Sequence, residues 1–154
     1  MGYTTTFDVG FGIVPPLAKT DLEFLKKFNE TRRMKRVGMA PEFGVDGEFY
    51  VGGDEHLNCT DGNEPPSTQP GLWCQWVPTD DGCYLRWDEG EKFYEYVPWL
   101  VYLIAKVLKP RGYIVNGECT WEGEESDDRG KIVVKDNMVY TRQGYVDYGD
   151  LQEV

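Results

Sequence analysis

Residues 70–100 read PGLWCQWVPTDDGCYLRWDEGEKFYEYVPWL and hold four of the five tryptophans of a 154-residue chain. Two strand-like runs, 72–77 and 84–88, flank Thr79-Asp80-Asp81-Gly82, where Asp and Gly favour a chain reversal. Pairing Val77 with Tyr84 puts Leu72, Cys74, Trp76, Leu85 and Trp87 on one face. Trp73, Gln75, Val77, Tyr84, Arg86 and Asp88 then share the other. A one-residue slip would set Trp76 beside Arg86, so the apolar pattern selects this register. Trp76 and Trp87 are expected in the core, and Trp73 on a polar face. The run from Val97 to Leu108 reads as a largely buried helix, with Pro98 in its first turn, where a missing N–H costs little, and Pro110 at its end. Phe93 and Tyr94, in the approach to that helix, come near the hairpin.

Upstream, residues 3–13 alternate strictly, with Tyr3, Thr5, Phe7, Val9, Phe11 and Ile13 on one side of a half-buried strand that Pro15-Pro16 stops. Thr20 and Glu23 form a capping box that opens a helix to about Arg36. Its inner stripe is Leu22, Leu25 and Phe28, and Arg32, Arg33, Lys35 and Arg36 fall where cations complement the carbonyl end of the dipole. Residues 37–71 are an irregular excursion, with a small hairpin expected about Asp46-Gly47.

Downstream the chain reads as a meander. Tyr113, Val115, Cys119 and Trp121 oppose Asn116, Glu118, Thr120 and Glu122, and a tight Asp136-Asn137 connection joins the last two strands. The order strand, helix, hairpin, helix, strands predicts one α+β domain over 1–154: an antiparallel sheet of five or six strands with two helices on one face, a ferredoxin-like βαββαβ plait with added C-terminal strands. The other face of such a sheet meets water. It would carry Thr6, Asp8, Trp73, Gln75, Arg86, Asp88, Asn116, Glu118, Thr120 and Glu122.

With 16 basic against 27 acidic side chains the formal charge is −11, which repels nucleic acid and anionic membranes. No segment reads as a signal peptide or a membrane span. The four cysteines include no CxxC pair and are expected as reduced thiols in a cytosol. His56 and Cys59 supply two possible zinc ligands where four are needed, and the lone histidine also weakens a Ser-His-Asp or Cys-His scheme. GEESDDRG at 123–130 clusters oxygens without the spacing of a calcium loop. No phosphate-binding glycine motif is present. Neither a metal nor a cofactor is expected.

Three functions fit these residues. The first is a non-enzymatic binding protein that presents an acidic, Trp73-bearing surface to a host protein, such as a nucleic-acid-handling one. The second is a small-ligand binder for a nucleotide-like molecule, with Trp73, Tyr84 and Arg86 and either Phe93 or Tyr94 as walls, and Gln75 among the candidate binding residues. The third is a hydrolase or transferase built on Glu118, Glu122 or Asp88.

The motifs QPGLWCQWVPTDDG (69–82), WDEGEKFY (87–94), ETRRM (30–34), VNGE (115–118) and GEESDDR (123–129) resemble a family of small actinobacterial and tailed-phage proteins. The resemblance implies a cytoplasmic setting, in a bacterium or a phage-infected cell. It brings no activity, cofactor or catalytic residue. The spacing between Lys109 and Asn116 is shorter than in the bacterial members.

Overall fold

The computed structural model describes residues 2–154. The strands are β1 (Thr6–Phe7), β2 (Phe11–Val14), β3 (Trp76–Pro78), β4 (Tyr84–Trp87), β5 (Ile114–Glu122), β6 (Arg129–Lys135) and β7 (Met138–Gln143). The helices are α1 (Lys19–Glu30) and α2 (Tyr96–Tyr102). All strand pairs are antiparallel, in the order β3-β4-β2-β5-β6-β7, and β1 pairs with β5. Counting β1 and β2 as one interrupted strand, the first four positions follow the split βαβ plait and β6-β7 extend it, as the sequence predicts.

One apolar layer lies between the sheet and the helices. Phe11, Ile13, Trp76, Leu85, Val115, Cys119, Trp121, Ile132 and Val134 come from the sheet. Leu25, Phe28, Trp99, Leu100, Leu103, Ile104, Val107 and Leu108 come from the helical side. The alternation read in residues 113–122 holds: Val115, Cys119 and Trp121 are buried, while Asn116, Glu118 and Glu122 are exposed. The β6–β7 connection is the expected two-residue turn, with Asp136 and Asn137 both at positive φ.

Five local readings change. The alternating first strand breaks at Asp8-Val9-Gly10, and Val9 is exposed rather than inward. There the Asp8 carboxylate accepts the Thr120 and Val9 N–H groups, each at 2.8 Å. At Gly10 the backbone runs so close to β4 that a Cβ would stand 2.8 Å from the Leu85 carbonyl oxygen. The hairpin register is the second. Val77 faces Arg86, and Thr79 N–H donates to Tyr84 O, because the turn takes in Asp80 to Cys83. A shift of two residues preserves the faces.

Thirdly, α1 opens at Lys19, one residue before the expected cap. Ala18 O accepts the Leu22 N–H at 2.9 Å, and Asp21 is occupied by Arg111 and Tyr113. Fourthly, α1 stops at Glu30 rather than near Arg36. Thr31 turns extended and its hydroxyl donates to Lys27 O at 2.7 Å. The arginines therefore leave the helix end and turn inward, and their carbonyl contacts hold the 37–71 excursion. Arg33 donates to Glu48 O (3.1 Å) and Tyr50 O (2.6 Å), and Arg36 to Leu57 O (2.6 Å) and Glu55 O (2.7 Å).

The fifth change follows from this. Asp46 and Gly47 have the positive φ of a tight turn, but with Arg36 N–H on Asp46 O their flanks form 3-10 turns and no hairpin. The excursion packs on the helical side, with Gln69 and Glu48 hydrogen-bonded to Tyr102. Tyr84, Arg86, Asn116 and Glu118 on the outer sheet face stay exposed.

The β3 edge differs from a bare strand. At β3, the Asn29 side chain donates to Cys74 O (3.2 Å) and Trp76 O (2.7 Å), and Pro78 has no N–H to offer, which blunts edge-to-edge pairing. Among the described residues no helix is long and apolar enough to cross a membrane.

The cysteines yield a direct check. Cys74 and Cys119 are buried, and desolvation pushes their thiols up to about 12 and about 11. Cys59 and Cys83 are half-buried. Since the thiolate is the reactive form and desolvation with Asp81 also raises the Cys83 thiol, a disulfide reagent should titrate Cys59 fastest and Cys83 more slowly in the native protein, and four thiols in denaturant. Rapid native titration of three or four would contradict this packing.

Candidate functional site

The residues singled out from the sequence divide between two places. Trp73, Gln75, Phe93 and Tyr94 come together in a cleft of ≈430 Å³ beyond the β3 edge. Gly71, Leu72, Glu91, Lys92, Glu95 and Trp99 complete its lining. Tyr84, Arg86, Glu118 and Glu122 lie on the outer sheet face. Asp88 pairs with Gln75 between the two, its N–H donating to Gln75 O at 3.0 Å. Trp73 and Gln75, expected on one open sheet face with Arg86, Asp88, Glu118 and Glu122, lie apart from it, because residues 71–75 are not a strand and residues 89–95 fold back beside them.

The local chain explains the cleft. Gln75 Nε2 donates to Glu91 O at 2.9 Å, which fastens the approach segment to the start of the hairpin. Lys92 takes a positive φ, and Phe93 drops into the core against Trp76 (centroids 5.3 Å apart) while Tyr94 turns out. The Tyr94 hydroxyl accepts the Tyr3 N–H at 3.2 Å, which fixes that ring from the other side. Trp73 and Tyr94 are 43% and 59% exposed, whereas Phe93 and Trp99 beneath them are 2% and 1%. The cleft thus has two exposed aromatic flanks over an aromatic floor, with Glu91, Glu95 and Lys92 at its rim.

The carboxylates on the sheet are differently placed. Glu118 pairs with Lys131 at 3.8 Å and Glu122 with Arg129 at 3.6 Å, both carboxylates exposed and Arg129 half-buried. Such cross-strand pairs contribute about 0.2–1 kcal/mol and need no chemistry to account for them. Desolvation raises the Asp88 carboxyl above its ordinary value, opposed by the Gly90 N–H that it accepts at 2.8 Å. Arg86 borders a smaller hollow of ≈230 Å³ with Asp8, Val9, Gly10 and Glu89. His56 is exposed on the excursion. Among the described residues, no three His, Cys, Asp or Glu side chains gather as a metal site. In the 123–128 loop, Asp128 accepts from Tyr3 Oη (2.7 Å) and Trp121 Nε1 (3.0 Å), which ties that loop to the N-terminal segment.

Two contributors to the cleft escape a sequence reading. Trp99 sits on the apolar stripe of a buried helix, so its spacing signals only core. Gly71 sits in a linker with no period. Which edge of the Trp99 ring meets the cleft depends on where residues 71–75 pass. The exposures also lead to a quenching experiment. Acrylamide should reach an accessible fluorescence component that Trp73→Phe largely removes, since Trp76, Trp99 and Trp121 are at most 7% exposed and Trp87 is half-buried. Quenching unchanged by the substitution would place Trp73 under cover.

The fold and cleft together describe an acidic α+β plait with an aromatic-lined cleft at its sheet edge. Comparison with known proteins finds no matching family model, no matching curated protein and no matching solved structure.

Proposed function

We propose that this chain is a small-ligand binding protein and that the cleft between Trp73 and Tyr94 holds the ligand. The observation that carries this reading is the cleft itself: concave, ≈430 Å³, and lined by Trp73, Phe93, Tyr94 and Trp99. Ligand sites are of this size and are walled by aromatic and apolar side chains with few polar groups. Tyr84 and Arg86, expected as further walls, belong to the outer sheet face and are not part of the proposal. The ion-paired Glu118 and Glu122 favour a binding role over carboxylate catalysis.

A second reading is that the same Trp73–Tyr94 rim seats on a host protein, as a phage or mobile-element protein would. It is favoured by the formal charge of −11 and by Glu91 and Glu95 at the rim. The two readings separate on size. A ligand panel followed by fluorescence should find small molecules that bind wild type and lose affinity in Trp73→Ala. Stacking on one aromatic ring contributes about 1–3 kcal/mol, so the loss should be about five- to 150-fold. Ligands that bind both proteins equally would sink the small-ligand reading.

A further inference from the structure

We infer that the cleft takes an uncharged planar ring bearing a carbonyl, of the nucleobase or nucleoside kind, and that the carbonyl accepts the Trp99 indole N–H at the cleft floor. The inference rests on the small-ligand reading of the cleft and goes on to fix the ligand's chemistry.

The tryptophan N–H groups carry the argument. Trp76 Nε1 donates to Tyr96 O at 2.7 Å, Trp87 Nε1 to Gly90 O at 3.1 Å and Trp121 Nε1 to Asp128 Oδ1 at 3.0 Å. The Trp99 side chain is 1% exposed, and its Nε1 makes no hydrogen bond among the described residues but is not sealed from solvent. An indole N–H with no protein acceptor that opens on a cleft is free to donate to a ligand seated there. Trp99 lines the cleft, and so does Gly71, where an added Cβ would stand 3.5 Å from Nε1. The glycine leaves the N–H edge open towards the cleft. Its φ is outside the left-handed region and 3.5 Å is an ordinary contact, so neither backbone nor packing demands glycine there.

Charge narrows the acceptor. The indole N–H only donates, so a cation brings it nothing. Glu91 and Glu95 outnumber Lys92 at the rim, and the chain carries −11, so carboxylate and phosphate acceptors are repelled. A neutral carbonyl remains. The exposed faces of Trp73 and Tyr94 suit a flat ring, since every base has a π face that stacks on an aromatic side chain. A nucleoside should therefore bind better than its monophosphate.

The test uses the full chain labelled with ¹⁵N, so that each indole N–H is a separate resonance, and titrates uridine, thymidine, cytidine, inosine and uridine monophosphate. At least one nucleoside should move the Trp99 resonance downfield saturably while those of Trp76, Trp87 and Trp121 stay in place. For uridine, the monophosphate should bind severalfold more weakly at low salt, with the gap closing as salt is added. Gly71→Ala should keep the remaining spectrum and weaken the nucleoside at least about tenfold, because its methyl stands before Nε1. A Trp99 resonance unmoved by every nucleoside overturns the inference, as does unchanged affinity in Gly71→Ala. If Trp99 stays silent while another small molecule moves the Trp73 resonance, the inference falls and the small-ligand reading stands. If a wider small-molecule panel moves neither, both fall.

Discussion

Trp76→Ala should remove about 4–5 kcal/mol of stability, whereas Trp73→Ala, three residues away, should change it by no more than about 0.5 kcal/mol. Trp76 is 0% exposed. Its ring meets Phe7, Phe11 and Phe93 edge-on, at centroid distances of 5.0, 5.6 and 5.3 Å. Truncation leaves a large cavity and deprives the Tyr96 carbonyl of its indole donor, each unfavourable on its own. Trp73 loses contacts on one side only. Urea unfolding of both variants decides the matter. With domains stable by about 5–15 kcal/mol, Trp76→Ala should unfold far earlier. Equal midpoints would mean that the two tryptophans have been assigned to the wrong surroundings.

Arg33→Met should cost about 2–4 kcal/mol, and the loss should concentrate in the 37–71 excursion. Arg33 is 1% exposed, with no carboxylate on its guanidinium. Burial pushes that guanidinium down to about 10, a penalty of about 3 kcal/mol for holding charge there. Against this stand the bonds to Glu48 O and Tyr50 O at 3.1 and 2.6 Å, and stacking 4.1 Å above the Phe28 ring. Charged hydrogen bonds contribute about 1.5–3 kcal/mol each and a desolvated cation–π contact about 2, so the favourable side wins. Methionine fills the space but satisfies neither carbonyl. Lysine should rescue only in part. One ammonium can meet Glu48 O and Tyr50 O, which Nη2 alone bonds, but it has no planar face for the Phe28 ring and no second arm for Phe28 O. Hydrogen exchange should quicken in the excursion before the sheet. A variant within about 0.5 kcal/mol of wild type, with exchange unchanged, would show that the excursion holds itself.

The candidate site was half legible. Trp73 stood out as an aromatic on a polar face and Tyr94 as one near the hairpin, and both border the cleft. Glu118, Glu122, Tyr84 and Arg86 stood out through strand alternation, which placed them correctly on the outer face. Their separation from Trp73 was hidden. Parity along a strand says which side a residue takes, but not where the strand begins. Residues 72–75 have the parity without the pairing, except for the single bond from Asp88 to Gln75 O.

The sequence by itself determined the element order, the sheet faces and the plait, because alternation and helical stripes are short-range patterns that burial enforces everywhere. Tertiary structure decided the rest. It turned Arg33 and Arg36 inward, since only the folded excursion supplies the carbonyls that make buried guanidinium tolerable. It broke the first strand at Asp8, where the carboxylate finds the Thr120 N–H of a strand 112 residues away. It left the Trp99 N–H facing the cleft beside Gly71. Each depends on which backbone groups from distant segments arrive at one place, and no local pattern in the chain encodes that.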